Sequence, residues 1–183
     1  MNFQHYLDYF QSIIENTDQN LPELYQNPEY MEYTKLNWSR MNRWLKTGVL
    51  LEEVKQKIHS VPSPQHWIVI TEPWCGDASH IVPFIELMAR ENQNIKVTYE
   101  LRDSEPFRID NYLTNGGKAI PILIVQEAGT DKTVWGPRPA GARELFASLK
   151  NSNAEFETVK VELQKWYNHD KGVMIQTEIA ALL

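Results

Sequence analysis

Thr71-Glu72-Pro73-Trp74-Cys75-Gly76-Asp77-Ala78-Ser79-His80, followed by Pro83, is the stretch whose reading decides the fold, and it holds the only cysteine in the chain. Before it, Trp67-Ile68-Val69-Ile70 is a short β-branched apolar run and reads as a buried strand. After it, Ile81, Val82, Phe84, Ile85 and Met88 recur at helical spacing. The chain therefore turns from strand to helix at Cys75. A thiol at that junction meets free backbone N–H groups and the positive end of the helix dipole, and both favour thiolate. With Trp74 before it and Pro121 placed to meet it, the expectation is an exposed, activated thiol with a pKa below the ordinary value of about 8.5; the alternative is a buried, inert thiol, a common use of a lone cysteine. Asp77 limits the drop, because a nearby carboxylate disfavours a second negative charge.

Working outward, Phe3, Tyr6, Leu7, Phe10, Ile13 and Ile14 form one apolar helical stripe that ends in the polar cluster Asn16 to Asn20. After Pro22 and Pro28, the residues Tyr30, Tyr33, Leu36, Asn37, Met41, Trp44 and Leu45 line a second helix. Thr47-Gly48 breaks it, and Val49, Leu51, Val54 and Ile58 mark a third. Core packing accounts for the aromatic residues among Arg40, Arg43 and Lys46, with Asn37, Arg40 and Arg43 as a minor candidate site edge. Pro62 and Pro64 make residues 60–65 a linker into the sheet.

Beyond the central helix, Ile95 to Leu101 alternates as a second strand, and Asp110 to Leu113 is a short helix stopped by Asn115-Gly116-Gly117. Ile122 to Val125 and Thr133 to Trp135 form a hairpin around the turn Gly129 to Lys132. Gly136-Pro137-Arg138-Pro139 is a corner into a helix with Leu145, Phe146 and Leu149. Asn151-Ser152-Asn153 is expected to cap a further helix with Phe156, Val159, Val161, Leu163, Trp166 and Tyr167 on its apolar face. Asp170-Lys171-Gly172 precedes an apolar tail, Val173 to Leu183, which packs on its own body or on a second copy in a homodimer.

The 183 residues, 42% of them hydrophobic, suffice for one well-cored domain with attached helices. A net charge of −6 without a basic cluster argues against nucleic acid as partner. No export signal or membrane span is legible, so the expected setting is the cytoplasm, with no membrane partner. A single cysteine excludes an intramolecular disulfide. Asp77 and His80 lack a third ligand at metal spacing, so neither a metal nor another cofactor is expected.

Trp74-Cys75-Gly76-Asp77-Ala78 resembles the thioredoxin motif Trp-Cys-Gly-x-Cys, with alanine in place of the second cysteine. Pro83 falls where thioredoxins kink the active-site helix, Ala119-Ile120-Pro121 resembles their cis-proline segment, and Trp135-Gly136 falls at the end of the following strand. Leu101-Arg102-Asp103 and the run Tyr112 to Gly117 are similar to a bacterial branch of the family with a helical N-terminal extension. The resemblance implies an α/β thioredoxin-like fold, a mixed sheet flanked by helices, over residues 61–150. Residues 1–60 would be the helical extension packed on it, and 151–183 a C-terminal helical segment.

The resemblance also implies that Cys75 is the catalytic residue and that Ile120 offers an open strand edge at Pro121. Trp74 and Trp135 would flank a substrate groove that includes Gly76 and Asp77, with Trp135 buried beneath the corner as the alternative. Val69 stands where thioredoxins carry a buried acid that assists proton transfer. Asp77 reads as a helix-start acid, with proton acceptor as the alternative. His80 reads as a surface histidine, or else one holding charge near the thiolate. Arg102 and Arg138 read as ion-pair partners of Asp103 or Glu144, or as clamps for an anionic group. With Ala78, no internal thiol releases a mixed disulfide. The expected activity is thiol–disulfide exchange by a monothiol route, with a small thiol or protein disulfide as partner. The alternative is a peptide- or protein-binding module without turnover. A peroxide sensor ranks third.

Overall fold

The sheet is organised around β1, Gln65–Thr71, whose residues are buried except the half-buried His66. That burial is why Trp67 to Ile70 is a continuous apolar run rather than an alternating one. A computed structural model of the protein describes residues 1–15 and 21–183; the expected turn cluster Asn16 to Asn20 lies outside the described residues. β1 runs parallel to β2, Ile95–Leu101, with Trp67 opposite Val97. It runs antiparallel to β3, Ile122–Glu127, with Val69 opposite Leu123. β4, Thr130–Trp135, closes a hairpin with β3, giving the order β2-β1-β3-β4. The hairpin turns at Ala128 and Gly129, one position earlier than expected, with φ of 48° and 77°. Two left-handed residues match the twist of the flanking strands.

The crossover from β1 to β2 is α4, Gly76–Arg90. Its residues Ile81, Val82, Phe84, Ile85 and Met88 are all buried, as the helical spacing predicts. Truncating Phe84 to alanine would cost about 3–5 kcal/mol. α5, Ala140–Asn151, follows the hairpin. This mixed four-stranded sheet flanked by helices, with further helices at both ends, is a thioredoxin-like fold.

α1, Phe3–Ile14, starts where Asn2 accepts the His5 N–H, and it lays Tyr6 flat on Tyr99 of β2 at 5.4 Å. α2, Pro28–Thr47, begins with the Asn27 cap and a proline in its first turn. Its buried face is Thr34, Asn37, Met41 and Trp44, which packs on α4. Tyr30 and Leu36, expected in that stripe, are 41% and 46% exposed. α3 is Glu52–His59.

α6, Phe156–Asp170, and α7, Val173–Ala180, complete the chain. The expected cap Asn151-Ser152-Asn153 instead finishes α5, because Asn153 turns left-handed and its N–H donates back to the Lys150 carbonyl. Phe156 and Val161 point outward from α6 rather than into the core. Lys171 and Gly172, at φ of 54° and 80°, reverse the chain, and Gly172 lies so close to the Phe84 ring that a side chain would collide with it. α7 then packs on α3 and α4 of its own chain. Gln176 fastens it, accepting the Leu51 N–H at 2.7 Å and donating to the Val49 carbonyl at 3.2 Å. No described helix is long and apolar enough to cross a membrane.

Candidate functional site

Cys75 occupies the N-cap of α4, as the strand-to-helix reading predicts. Its Sγ accepts the Ala78 N–H at 3.5 Å and donates to the Ile120 carbonyl at 3.4 Å. The Ile120–Pro121 bond is cis, as the resemblance implies. The expectation of an exposed, activated thiol is corrected: Cys75 is buried, at 6% exposure, and its pKa is pushed up to about 12. Burial is the main cause and the Asp77 carboxylate adds to it, while the Ala78 N–H and Arg138 oppose. A helix dipole contributes about 0.3–2 kcal/mol, whereas taking a charge out of water costs several. Desolvation therefore wins, and the thiol rests protonated. It is not sealed off, for it lines a cleft of about 410 Å³.

Asp77 does not stand free in the first turn of α4. Its Oδ2 pairs with Arg138 Nη2 at 2.6 Å, and its Oδ1 accepts the Tyr167 hydroxyl at 2.8 Å. Arg138 comes from the proline corner and Tyr167 from α6, so one carboxylate joins three segments. The expected partner of Arg138 was Asp103 or Glu144; it is Asp77, and the guanidinium also lies over the Phe146 ring at 4.1 Å.

His80 corrects a second expectation. It is 2% exposed, stacked on Tyr167 at 4.5 Å, and carries no charge near the thiol. Trp44 Nε1 donates to its Nδ1 at 2.8 Å, which leaves the proton on Nε2, facing Gln164 Oε1 at 3.0 Å. Burial lowers its pKa to about 3, so the ring is a neutral structural bridge between α2 and α6.

Trp74 is half-buried beside the thiol, with Arg102 over its ring at 4.5 Å. Arg102 forks onto Asp103 at 2.8 and 2.6 Å, the ion pair anticipated for it. Gly76 is pressed by the Tyr33 hydroxyl, and any side chain there would collide with it. Ile120 lines the cleft, but its carbonyl is engaged by the Cys75 thiol rather than open. Trp135 is not a cleft wall. It is buried, and its indole donates to Glu178 of α7 at 2.8 Å. Of the minor candidates, Asn37 is buried and donates to the Pro73 carbonyl at 3.2 Å, Arg40 lines the cleft, and Arg43 is drawn away to Asn168 at 2.6 Å.

Sequence reasoning missed several residues here. Tyr33, Phe156 and Tyr167 line the cleft from α2 and α6, and their spacing looks the same as core spacing. Val69 is apolar and fully buried as expected; outside the cleft, Glu72, 5% exposed, accepts the Asp103 N–H at 3.2 Å. Burial pushes its pKa up to about 7. A carboxylate between a buried strand and a tryptophan was the available signal. Among the described residues, no cluster of three His, Cys, Asp or Glu is placed to hold a metal.

A thioredoxin family profile matches residues 24–150, which takes in α2 and α3 as well as the sheet. No curated protein matches the sequence. Two solved structures share the fold. One is an HIV epitope-scaffold, with a TM-score of 0.57 and 14% identity over 100% of this chain and 97% of that one. The other is a protein of unknown function from Pseudomonas aeruginosa, with a TM-score of 0.58 and 13% identity over 100% and 96%. With a profile that spans most of its length and a sheet of matching topology, this single-cysteine chain belongs to the thioredoxin family.

Proposed function

We propose that this chain is a binding protein built on a thioredoxin fold, with its ligand held in the cleft between α2, the Cys75 loop, the segment from Lys118 to Ile120 and α6. The burial of Cys75 carries this reading. At a pKa of about 12, only about one thiol in 10⁵ is ionised at pH 7, against a few per cent for an ordinary cysteine. A more basic thiolate is a better nucleophile, but that returns only about half of the lost decades. Exchange would run roughly 100-fold slower than at a free thiol, and no second cysteine exists to release a product. The division into a helical extension (1–60), a core (61–150) and a C-terminal segment (151–183) belongs to the same proposal, with the outer segments supplying the cleft walls. So does membership of the bacterial branch suggested by Leu101-Arg102-Asp103 and Tyr112 to Gly117. A cytoplasmic setting agrees with a lone reduced thiol.

Monothiol exchange through Cys75 is the second reading, favoured by the sulfur lining the cleft beside the cis-proline. Alkylation of Cys75 against pH, together with release of glutathione from a mixed disulfide, separates the two. The binding reading expects a midpoint well above about 8.5 and no turnover. A midpoint below that value with turnover would establish exchange instead.

A further inference from the structure

Among the described residues, ion pairing leaves the cleft with one free charge of each sign, Glu29 and Arg40. The protein carries a net charge of −6, yet five cations, Arg40, Arg102, Lys118, Arg138 and Lys160, line the cleft against three carboxylates, Glu29, Asp77 and Glu157. Four of the five are neutralised: Arg102 by Asp103, Lys118 by Asp110, Arg138 by Asp77 and Lys160 by Glu157. Arg40 is different. Among the described residues no carboxylate lies within ion-pair distance of it.

The position of Arg40 is nevertheless held. Its Nη1 donates to Asn37 Oδ1 at 2.9 Å, and its guanidinium lies 5.2 Å from the Tyr33 ring centre. Asn37 is fully buried and anchored to the Pro73 carbonyl, two residues before Cys75. Both partners are neutral. The guanidinium thus keeps its charge and most of its five N–H donors, pre-organised in a fork suited to a carboxylate or similar group.

The rest of the wall is aromatic, with rings from Tyr33, Trp74, Phe146 and Phe156 that carry Lys160, Arg102 and Arg138 over their faces. The volume, about 410 Å³, falls among small-molecule pockets of roughly 300–1,000 Å³. An extended peptide fits less well. The Ile120 carbonyl that would pair with it is taken by the Cys75 thiol, and α2 and α6 both stand in the wall.

We infer that the ligand of this cleft is a small organic anion with a flat apolar body, its anionic group on Arg40 and its body among the aromatic side chains of the wall. This rests on the binding reading above and narrows its ligand from a peptide or protein to a small molecule. The probes are 2-naphthylacetate, its uncharged amide and a mixture of unstructured decapeptides, each titrated into the full chain with tryptophan fluorescence and calorimetry. The acetate is expected to bind at least about tenfold more tightly than the amide, the scale of one charge-assisted hydrogen bond. Arg40→Gln is expected to abolish that preference, so that acetate binds no more tightly than amide. Equal binding of acetate and amide would overturn the anion assignment while leaving the cleft as a binding site. Binding of decapeptides alone would overturn the small-molecule assignment, and binding of none of the three would overturn the binding reading itself. Should Arg40→Gln fail to fold, the acetate–amide comparison on the unaltered chain decides.

Discussion

The Tyr167 hydroxyl donates to Asp77 Oδ1 across 90 positions of sequence, at 2.8 Å. Arg138 takes the other oxygen of the same carboxylate at 2.6 Å. The first turn of α4, the proline corner and α6 therefore share one buried charge, next to the thiol whose ionisation that charge opposes.

Asp77→Asn tests this relationship twice. Removing the carboxylate leaves Arg138 largely buried without its ion partner, and unfolding in urea should show a loss of about 2–4 kcal/mol. The same change removes a negative charge beside Cys75 and frees the positive charge of Arg138. The pH midpoint for Cys75 alkylation should fall below about 12; an unmoved midpoint would mean that burial alone sets it.

Cys75 should make the protein less stable at alkaline pH. Its folded pKa of about 12 lies above an unfolded value near 8.5, so the unfolded chain gives up the proton first. This contribution is intact below about pH 8.5 and is lost as pH rises toward 12, at up to about 1.4 kcal/mol per pH unit. Between pH 8.5 and 10, before tyrosines in the unfolded chain ionise fully, Cys75→Ala should lose stability less steeply than the parent chain.

Glu72 titrates in a lower window with the same sign. Its pKa rises from 4.5 to about 7 through burial, so its stabilising contribution is present below about pH 4.5 and lost as pH rises through 7. Glu72→Gln keeps an oxygen for the Asp103 N–H. It should leave stability unchanged at pH 4.5 and raise it at pH 8 by on the order of 3 kcal/mol, measured by thermal unfolding.

Gly76→Ala should lose stability for a steric reason specific to this chain. A methyl group there meets the Tyr33 hydroxyl, and crowding of this kind costs about 1–3 kcal/mol. Adding Tyr33→Ala should restore much of the loss. If the double variant is no better than the sum of the two single ones, the collision is relieved elsewhere.

His80 should stay neutral throughout pH 5–8, with its proton on Nε2, because its pKa is lowered to about 3. Nitrogen chemical shifts of the ring would show this directly. A ring that titrated near its ordinary value of about 6.5 would mean that the Trp44–His80–Gln164 bridge does not persist.

What the chain states locally was legible without coordinates. The β-branched run at Trp67 to Ile70, the helical spacing from Ile81 to Met88 and the hairpin beyond Ile122 depend on neighbours within a few positions, where periodicity and turn chemistry act. The resemblance at Trp74 to Ala78 and at Ile120-Pro121 then ordered those pieces into a thioredoxin fold. Only the tertiary structure decided the state of the site. Whether Cys75 and His80 meet water depends on how α2 and α6 dock over α4. The partners of Asp77, Arg138 and Trp135 come from 43 to 90 positions away. Phe156 and Phe84 are the same residue type at helical spacing, yet one is 71% exposed and the other 1%. Sequence pattern specifies which face of an element is apolar, while burial and charge pairing are set by which element covers that face, and that is a property of the assembled packing.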